Sequence, residues 1–304
     1  MPLGIEIRTA VKKLLGSRLT SHVRRFLRPR VPGINSLLIQ FNGLQALEIG
    51  GPSPLFSEDG SLPVYSMCSR VDNCLFSSKT IWDRNRAEET PFCFSRNKKP
   101  GSQMICEGTD LRGIEDAAYD CVLASHCLEH IANPIKALLE WKRVLRTNGI
   151  LLLVLPHKDG TFDRRRPTTS LAHMVEDFRR DTREDDLTHL PEILELHDLG
   201  MDPQAGTIHQ FRRRCEENHL HRAIHHHVFD TPTALSTVDH AKFQMDRVEF
   251  LKPHHIVIFA RRTEGASDNT RFLQIGADCL RRSPFCSDRL RPPGSGENAV
   301  EQTV

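Results

Sequence analysis

The stretch that most limits the fold is LASHCLEHIANPIKALLEWKRVLRTNGILLLVLPHKDG, residues 123–160. Just before and into it, YDCVLAS (119–125) reads as a strand that stops at Ser125. PIKALLEWKRVL (134–145) repeats its apolar residues at helical spacing, and Pro134 suits a first helical turn. Asn148-Gly149 marks a turn, and ILLLVLP reads as a strand buried on both faces. A strand–helix–strand unit of this kind requires a sheet covered by other elements on both sides. Right-handed crossovers then bring the strand C-termini to one edge, where ligands of such sheets bind. Ser125 and His126 follow one strand, and Pro156 and His157 follow the next. All four belong on that edge.

The same α/β reading extends along the chain. LQALEIG (44–50) is a short buried strand ending at a glycine pair, and LPVYSMCSRVD (62–72) holds a weaker strand. KKPGSQMICEG (98–108) contains a turn and a short apolar piece. Residues 158–230 change character: they are polar, rich in His, Asp and Arg, and mostly helical in pattern. FQMDRVEFL (243–251) and HIVIFARR (255–262) return to strand pattern across a tight Lys-Pro-His turn, so they must run antiparallel. Residues 263–304 are rich in Ser, Gly, Pro and Arg and read as a disordered tail. Residues 1–40 are basic. They form either a helix packed on the domain with a solvated basic face, or an amphipathic helix that seeks a membrane surface.

Bulk properties exclude several classes. A net charge of +2 argues against a nucleic-acid partner. No apolar run reaches the ~20 residues of a membrane helix, and no secretory leader is evident. Nine cysteines occur without a C-x-x-C pair. That pattern speaks for free thiols and a cytoplasmic location rather than a disulfide framework or a zinc ribbon.

ALEIGG, followed by TDLRGIEDAAYDCVLASHCLEHIANPIKALLEWKRVLRTNGILLLVLP, resembles the class I S-adenosylmethionine-dependent methyltransferases, in their small-molecule branch. Residues 157–230 further resemble an uncharacterised bacterial subgroup. The resemblance implies a Rossmann-like, doubly wound sheet of seven strands with an antiparallel last pair and a helical insertion after the fifth strand. It places the methyltransferase domain at 41–262, with 158–230 as a lid, and implies S-adenosyl-L-methionine as cofactor. Glu48, Gly50 and Gly51 match the loop at the methionine end, with Glu48 either positioning the loop or pairing with the ammonium. Asp72 is the candidate for the ribose hydroxyls. Asp110 and Leu111 match the acid–apolar pair at the adenine, and Ser125 and His126 the sulfonium side. Glu129 and His130 shape the following helix. The sequence departs from the family at Pro52 and Pro54, where further glycines are usual; proline stiffens the loop and cannot donate a backbone hydrogen bond.

Methyl transfer from a sulfonium is a displacement in which the enzyme aligns nucleophile and methyl. A hydroxyl acceptor also needs a base, commonly His. His157 or His189 is the expected base, with Asp186 orienting His189. Two other readings of 157–230 stay open: a divalent metal held by Asp and His, or a solvated insertion with structural histidines. No residue is assigned to a metal. The arginines of DRRRP (163–167) either bind an acidic acceptor or form a solvated face. The expected activity is methylation of a small molecule or glycan precursor, most readily at oxygen. The alternatives are a binding protein that has lost turnover and a nucleotide-dependent oxidoreductase. The first loop lacks the Gly-x-Gly-x-x-Gly fingerprint of the oxidoreductase.

Overall fold

The computed structural model describes residues 31, 33–78 and 91–290. Most of the basic N-terminal segment lies outside them, and so does its expected membrane contact. Seven strands form one sheet in the order β3-β2-β1-β4-β5-β7-β6. They are β1 Gln45–Ile49, β2 Arg70–Leu75, β3 Gln103–Ile105, β4 Tyr119–Ser125, β5 Leu145–Pro156, β6 Phe243–Leu251 and β7 His255–Arg262. The first five are parallel, while β7 runs antiparallel to both β5 and β6. This is the doubly wound sheet with an antiparallel last pair. Among the described residues no helix is long and apolar enough to cross a membrane.

Strand periodicity divides the core in two. On β5, Leu151, Leu153 and Leu155 face one layer with Trp141, Leu138 and Leu235. Ile150, Leu152 and Val154 face the other with Phe41, Phe56 and Tyr65. Both sets are at most 5 % exposed, which is why the strand sequence has no polar alternation. Helix α1 (Pro134–Val144) begins where the Asn133 side chain accepts from the Lys136 amide. Its Trp141 is fully buried and donates from Nε1 to Gly108 O at 2.8 Å, tying the helix to the loop after β3.

Between β5 and the last hairpin lie α2 (Leu171–Arg180), α3 (Leu190–Leu196), α4 (Ile208–Glu216) and α5 (Thr231–His240). A separate small core of Ile193, Ala205, Phe211, Cys215 and Ile224 organises the insertion. Its margin carries Asp202, held by Arg214 at 2.9 Å and His197 at 3.3 Å.

The C-terminal segment differs from the expected disordered tail. Three short helices, Thr270–Leu273, Asp278–Arg282 and Cys286–Leu290, follow β7. Phe272, Ala277, Cys279 and Phe285 join the main core. Composition misled because these few apolar residues are spread among Arg and Ser rather than set at a clear period. Residues 291–304 lie outside the description.

Candidate functional site

A cavity of about 860 Å³ opens at the C-terminal ends of β1–β5. Gly50–Leu55 follow β1, Leu75 and Phe76 end β2, Cys106–Thr109 follow β3, and Ser125–Cys127 end β4. Facing them are Phe162, Met201, Arg222 and His225 of the insertion, and His254 and His255 of the β6–β7 turn.

The first loop packs tightly on its own neighbours. Gly50 has φ 77, a left-handed conformation that glycine adopts without cost. At Gly51 an added Cβ would lie 2.2 Å from the Glu48 carboxyl carbon. Glu48 is buried and lies behind the cavity wall. Its carboxylate accepts from Ser53 N at 2.9 Å and from Tyr65 Oη at 2.5 Å. It therefore braces the loop from behind. Asn73 completes the clamp, accepting from Gly51 N at 3.0 Å and donating to Gly51 O at 3.1 Å.

The structure moves several expected site residues. The 62–72 segment is a short helical turn (Val64–Ser66), and β2 starts only at Arg70. Asp72 therefore sits inside the strand, opposite Leu47, not at its ligand end. Its carboxylate accepts from Ser102 N at 2.6 Å, Arg70 Nε at 2.8 Å and Tyr119 Oη at 2.9 Å. Asp110 turns outward to Arg112, whose side-chain hydrogen bond holds the carboxyl below its usual range. Leu111 is core. Glu107, three residues earlier and two past the end of β3, lines the cavity instead. It pairs with Arg222 at 2.5 Å, and Arg222 reaches Glu184 at 2.6 Å.

His157 is not at the cavity either. It is fully buried, 3.1 Å from Asp288 Oδ1, and stacked on Phe285 with ring centroids 3.9 Å apart. The C-terminal helices cover it. His189 and Asp186 lie outside the cavity lining. His189 Nε2 is 3.0 Å from His173 Nε2, and Asp186 accepts from Thr188 Oγ1 at 2.6 Å. In DRRRP, Arg166 is buried against Asp163 and Glu192, while Arg164 and Arg165 pair with Asp198. None of the three borders the cavity.

Ser125 and His126 do line it, and Glu129 and His130 join them. His126 adopts φ 53, unusual for a residue with a Cβ, with its amide donating to Val154 O at 3.0 Å. His126 Nδ1 lies 3.5 Å from Glu129 Oε1, and its Nε2 is 2.7 Å from His255 Nδ1. Burial pushes the Glu129 carboxyl up, but the imidazoles of His126, His130 and His225 outweigh it and hold the group at about 2. Burial also lowers His254 to about 4 and His255 to about 3, with His126 adding to the effect. Both are neutral at ordinary pH.

Residues 84–153 match the model of a family described as a methyltransferase domain. The match runs through β3, β4, α1 and most of β5, the unit that builds half of the cavity edge. The chain carries a class I methyltransferase domain. Its cofactor is S-adenosylmethionine, and the chain's residues suit it: the backbone at Gly50–Gly51 borders the cavity, and a carboxylate (Glu107) follows β3 beside apolar Leu75 and Phe76. No curated protein matches the methyltransferase chain. It is similar to the solved 1,6-didemethyltoxoflavin-N1-methyltransferase of Burkholderia thailandensis at 14% identity and TM-score 0.43, over 76% of this chain and 77% of that one. A Methanosarcina mazei S-adenosylmethionine-dependent methyltransferase is 16% identical, with TM-score 0.44 over 76% and 97%. The N-methyltransferase NodS of Bradyrhizobium japonicum is 12% identical, with TM-score 0.43 over 82% and 100%. Likenesses this distant say nothing about the acceptor.

Sequence reasoning missed Glu107, Arg222, His225, His254 and His255. The last two were within reach. An antiparallel strand next to β5 must begin at the ligand edge, so the histidines just before and at its start belong there.

Proposed function

We propose that this methyltransferase transfers a methyl group to an oxygen of a small molecule or glycan precursor, in the cytoplasm. The observation that carries the reading is the two-sided cavity. One side is the cofactor edge of the sheet, and the other is imidazole-rich and supplied by the insertion and the last hairpin. The cofactor lies along Gly50, Gly51, Glu107, Ser125 and His126, with the acceptor toward His225, His254 and His255. Residues 158–230 act as the lid within a 41–262 catalytic body. Displacement at the methyl carbon expels neutral S-adenosylhomocysteine, so the protein's work is alignment. A hydroxyl must also lose its proton, and neutral imidazole accepts one. We assign that role to His126, whose Nε2 lies 2.7 Å from His255 Nδ1, in place of His157.

Calorimetry with S-adenosylmethionine and S-adenosylhomocysteine tests the first half: folded protein binds both. Failure to bind either ends the enzyme reading, and binding of NAD instead favours an oxidoreductase. Methyl-labelled donor offered to a panel of hydroxylated sugars and small molecules tests the second. Transfer to oxygen falls about 10²–10⁴-fold in His126→Ala, a larger loss than that variant's change in S-adenosylhomocysteine affinity accounts for.

A further inference from the structure

We propose that Glu129, His130 and His225 form a site for a divalent transition-metal ion on the wall of the cavity. The three ligand atoms lie within 4.8 Å of one another. The His225 Nε2 to Glu129 Oε1 separation is 4.0 Å, and the His130 and His225 ring centroids are 4.6 Å apart. Ligands bound to one metal at about 2.0–2.2 Å stand roughly 3–4 Å from each other, so the set needs only a small contraction.

The other ring nitrogens are arranged as in metal centres. His130 Nδ1 is 2.9 Å from Ile224 O, and a carbonyl can only accept. The proton is therefore on Nδ1, and Nε2 carries the lone pair. His225 Nδ1 is 2.5 Å from Asp163 Oδ2, which directs its Nε2 lone pair toward Glu129. Asp163 is itself fixed by Arg166 at 2.9 Å. A carboxylate or carbonyl behind each imidazole is the usual way of fixing a ligand's tautomer and orientation. Glu129 supplies the independent sign of a missing partner. It is 0 % exposed, lines the cavity, and neither carboxylate oxygen accepts a hydrogen bond of good geometry. A buried carboxylate without such partners is costly unless a cation completes it.

Two imidazoles and one carboxylate suit zinc or iron rather than calcium or magnesium. Three protein ligands leave coordination positions open toward the cavity. Resting on the oxygen-methylation reading, those positions take the acceptor hydroxyl and ease loss of its proton, which passes to an imidazole of the same wall. The oxygen then forms its bond to the methyl carbon as the carbon–sulfur bond breaks onto sulfur.

A second cluster, His173, His189 and His227, gives the control. Full-length protein is stripped with chelator, dialysed, and titrated with Zn²⁺ alone and with Co²⁺, whose visible absorption reports on ligand geometry. The expected result is one equivalent that is lost in Glu129→Gln and in His225→Ala and retained in His189→Ala. Asp163→Asn weakens binding by about 10–100-fold. S-adenosylhomocysteine binding and the melting curve of each variant show that it is folded. Wild-type protein that binds S-adenosylhomocysteine but neither metal overturns the site and leaves the methyltransferase reading intact. Metal affinity unchanged in both ligand variants, or lost only in His189→Ala, overturns it as well. Metal bound without S-adenosylhomocysteine overturns the cofactor reading alone.

Discussion

A single missing Cβ shapes the cofactor loop. Because a methyl at Gly51 would fall 2.2 Å from the Glu48 carboxyl carbon, Gly51→Ala must push the buried carboxylate off Ser53 and Tyr65 or move the loop. We expect a loss of about 1–3 kcal/mol in urea unfolding, together with weaker S-adenosylhomocysteine binding by calorimetry. His157 makes the opposite point. It was the residue of choice for chemistry on sequence grounds, yet it is buried against Asp288 and Phe285. His157→Ala removes one hydrogen-bond partner of the buried Asp288 carboxylate and leaves a cavity beside Phe285, and costs about 2–5 kcal/mol of stability. Cofactor affinity in the folded variant should match wild type; a tenfold loss would return His157 to the site.

At the scale of the element, strand and helix positions followed from sequence wherever the hydrophobic period was clean. β4, α1 and β5 were legible because each carries one unbroken pattern. β2 was misplaced because Leu62, Val64 and Tyr65 are buried by a short helical turn and look like strand residues. That shift is what displaced Asp72. The insertion was legible as helical, but not as a body with its own core, since its five core residues come from widely separated positions. Its charged margin makes it sensitive to acid. Burial pushes the Asp202 carboxyl up, but hydrogen bonds from His197 and Arg214 outweigh this and hold it at about 2. A depressed carboxyl stabilises the fold above its unfolded value, near 4, and the contribution disappears as pH falls toward 2. Arg214→Ala should therefore be less stable than wild type by about 1–2 kcal/mol at pH 6, with the gap closing between pH 4 and 2 in urea titrations.

For the whole molecule, the site is where three distant parts of the chain meet, and that is why the sequence revealed only one side of it. Ser125 and His126 could be placed from strand ends. His225 could not, because nothing local says which face of a helical insertion turns inward. Arg222 is the bolt between the parts: it joins Glu107 after β3 to Glu184 in the insertion, and lies 5.1 Å over the Phe76 ring. Arg222→Ala should leave the sheet's amide exchange unchanged while that of 184–222 speeds up, and S-adenosylhomocysteine should dissociate faster. Equal exchange of 184–222 in Arg222→Ala and wild type would mean that the insertion is held by its apolar core alone.

The partnership of His157 with Asp288 also sets an order of events during synthesis. The two residues are 131 positions apart. At about 5–20 residues per second, β5 leaves the ribosome roughly 7–26 s before the segment that seals the end of it. The sheet edge is thus made first and capped late. For that interval a nascent chain exposes the apolar floor that Phe285 will cover, and a chaperone has its longest opportunity there.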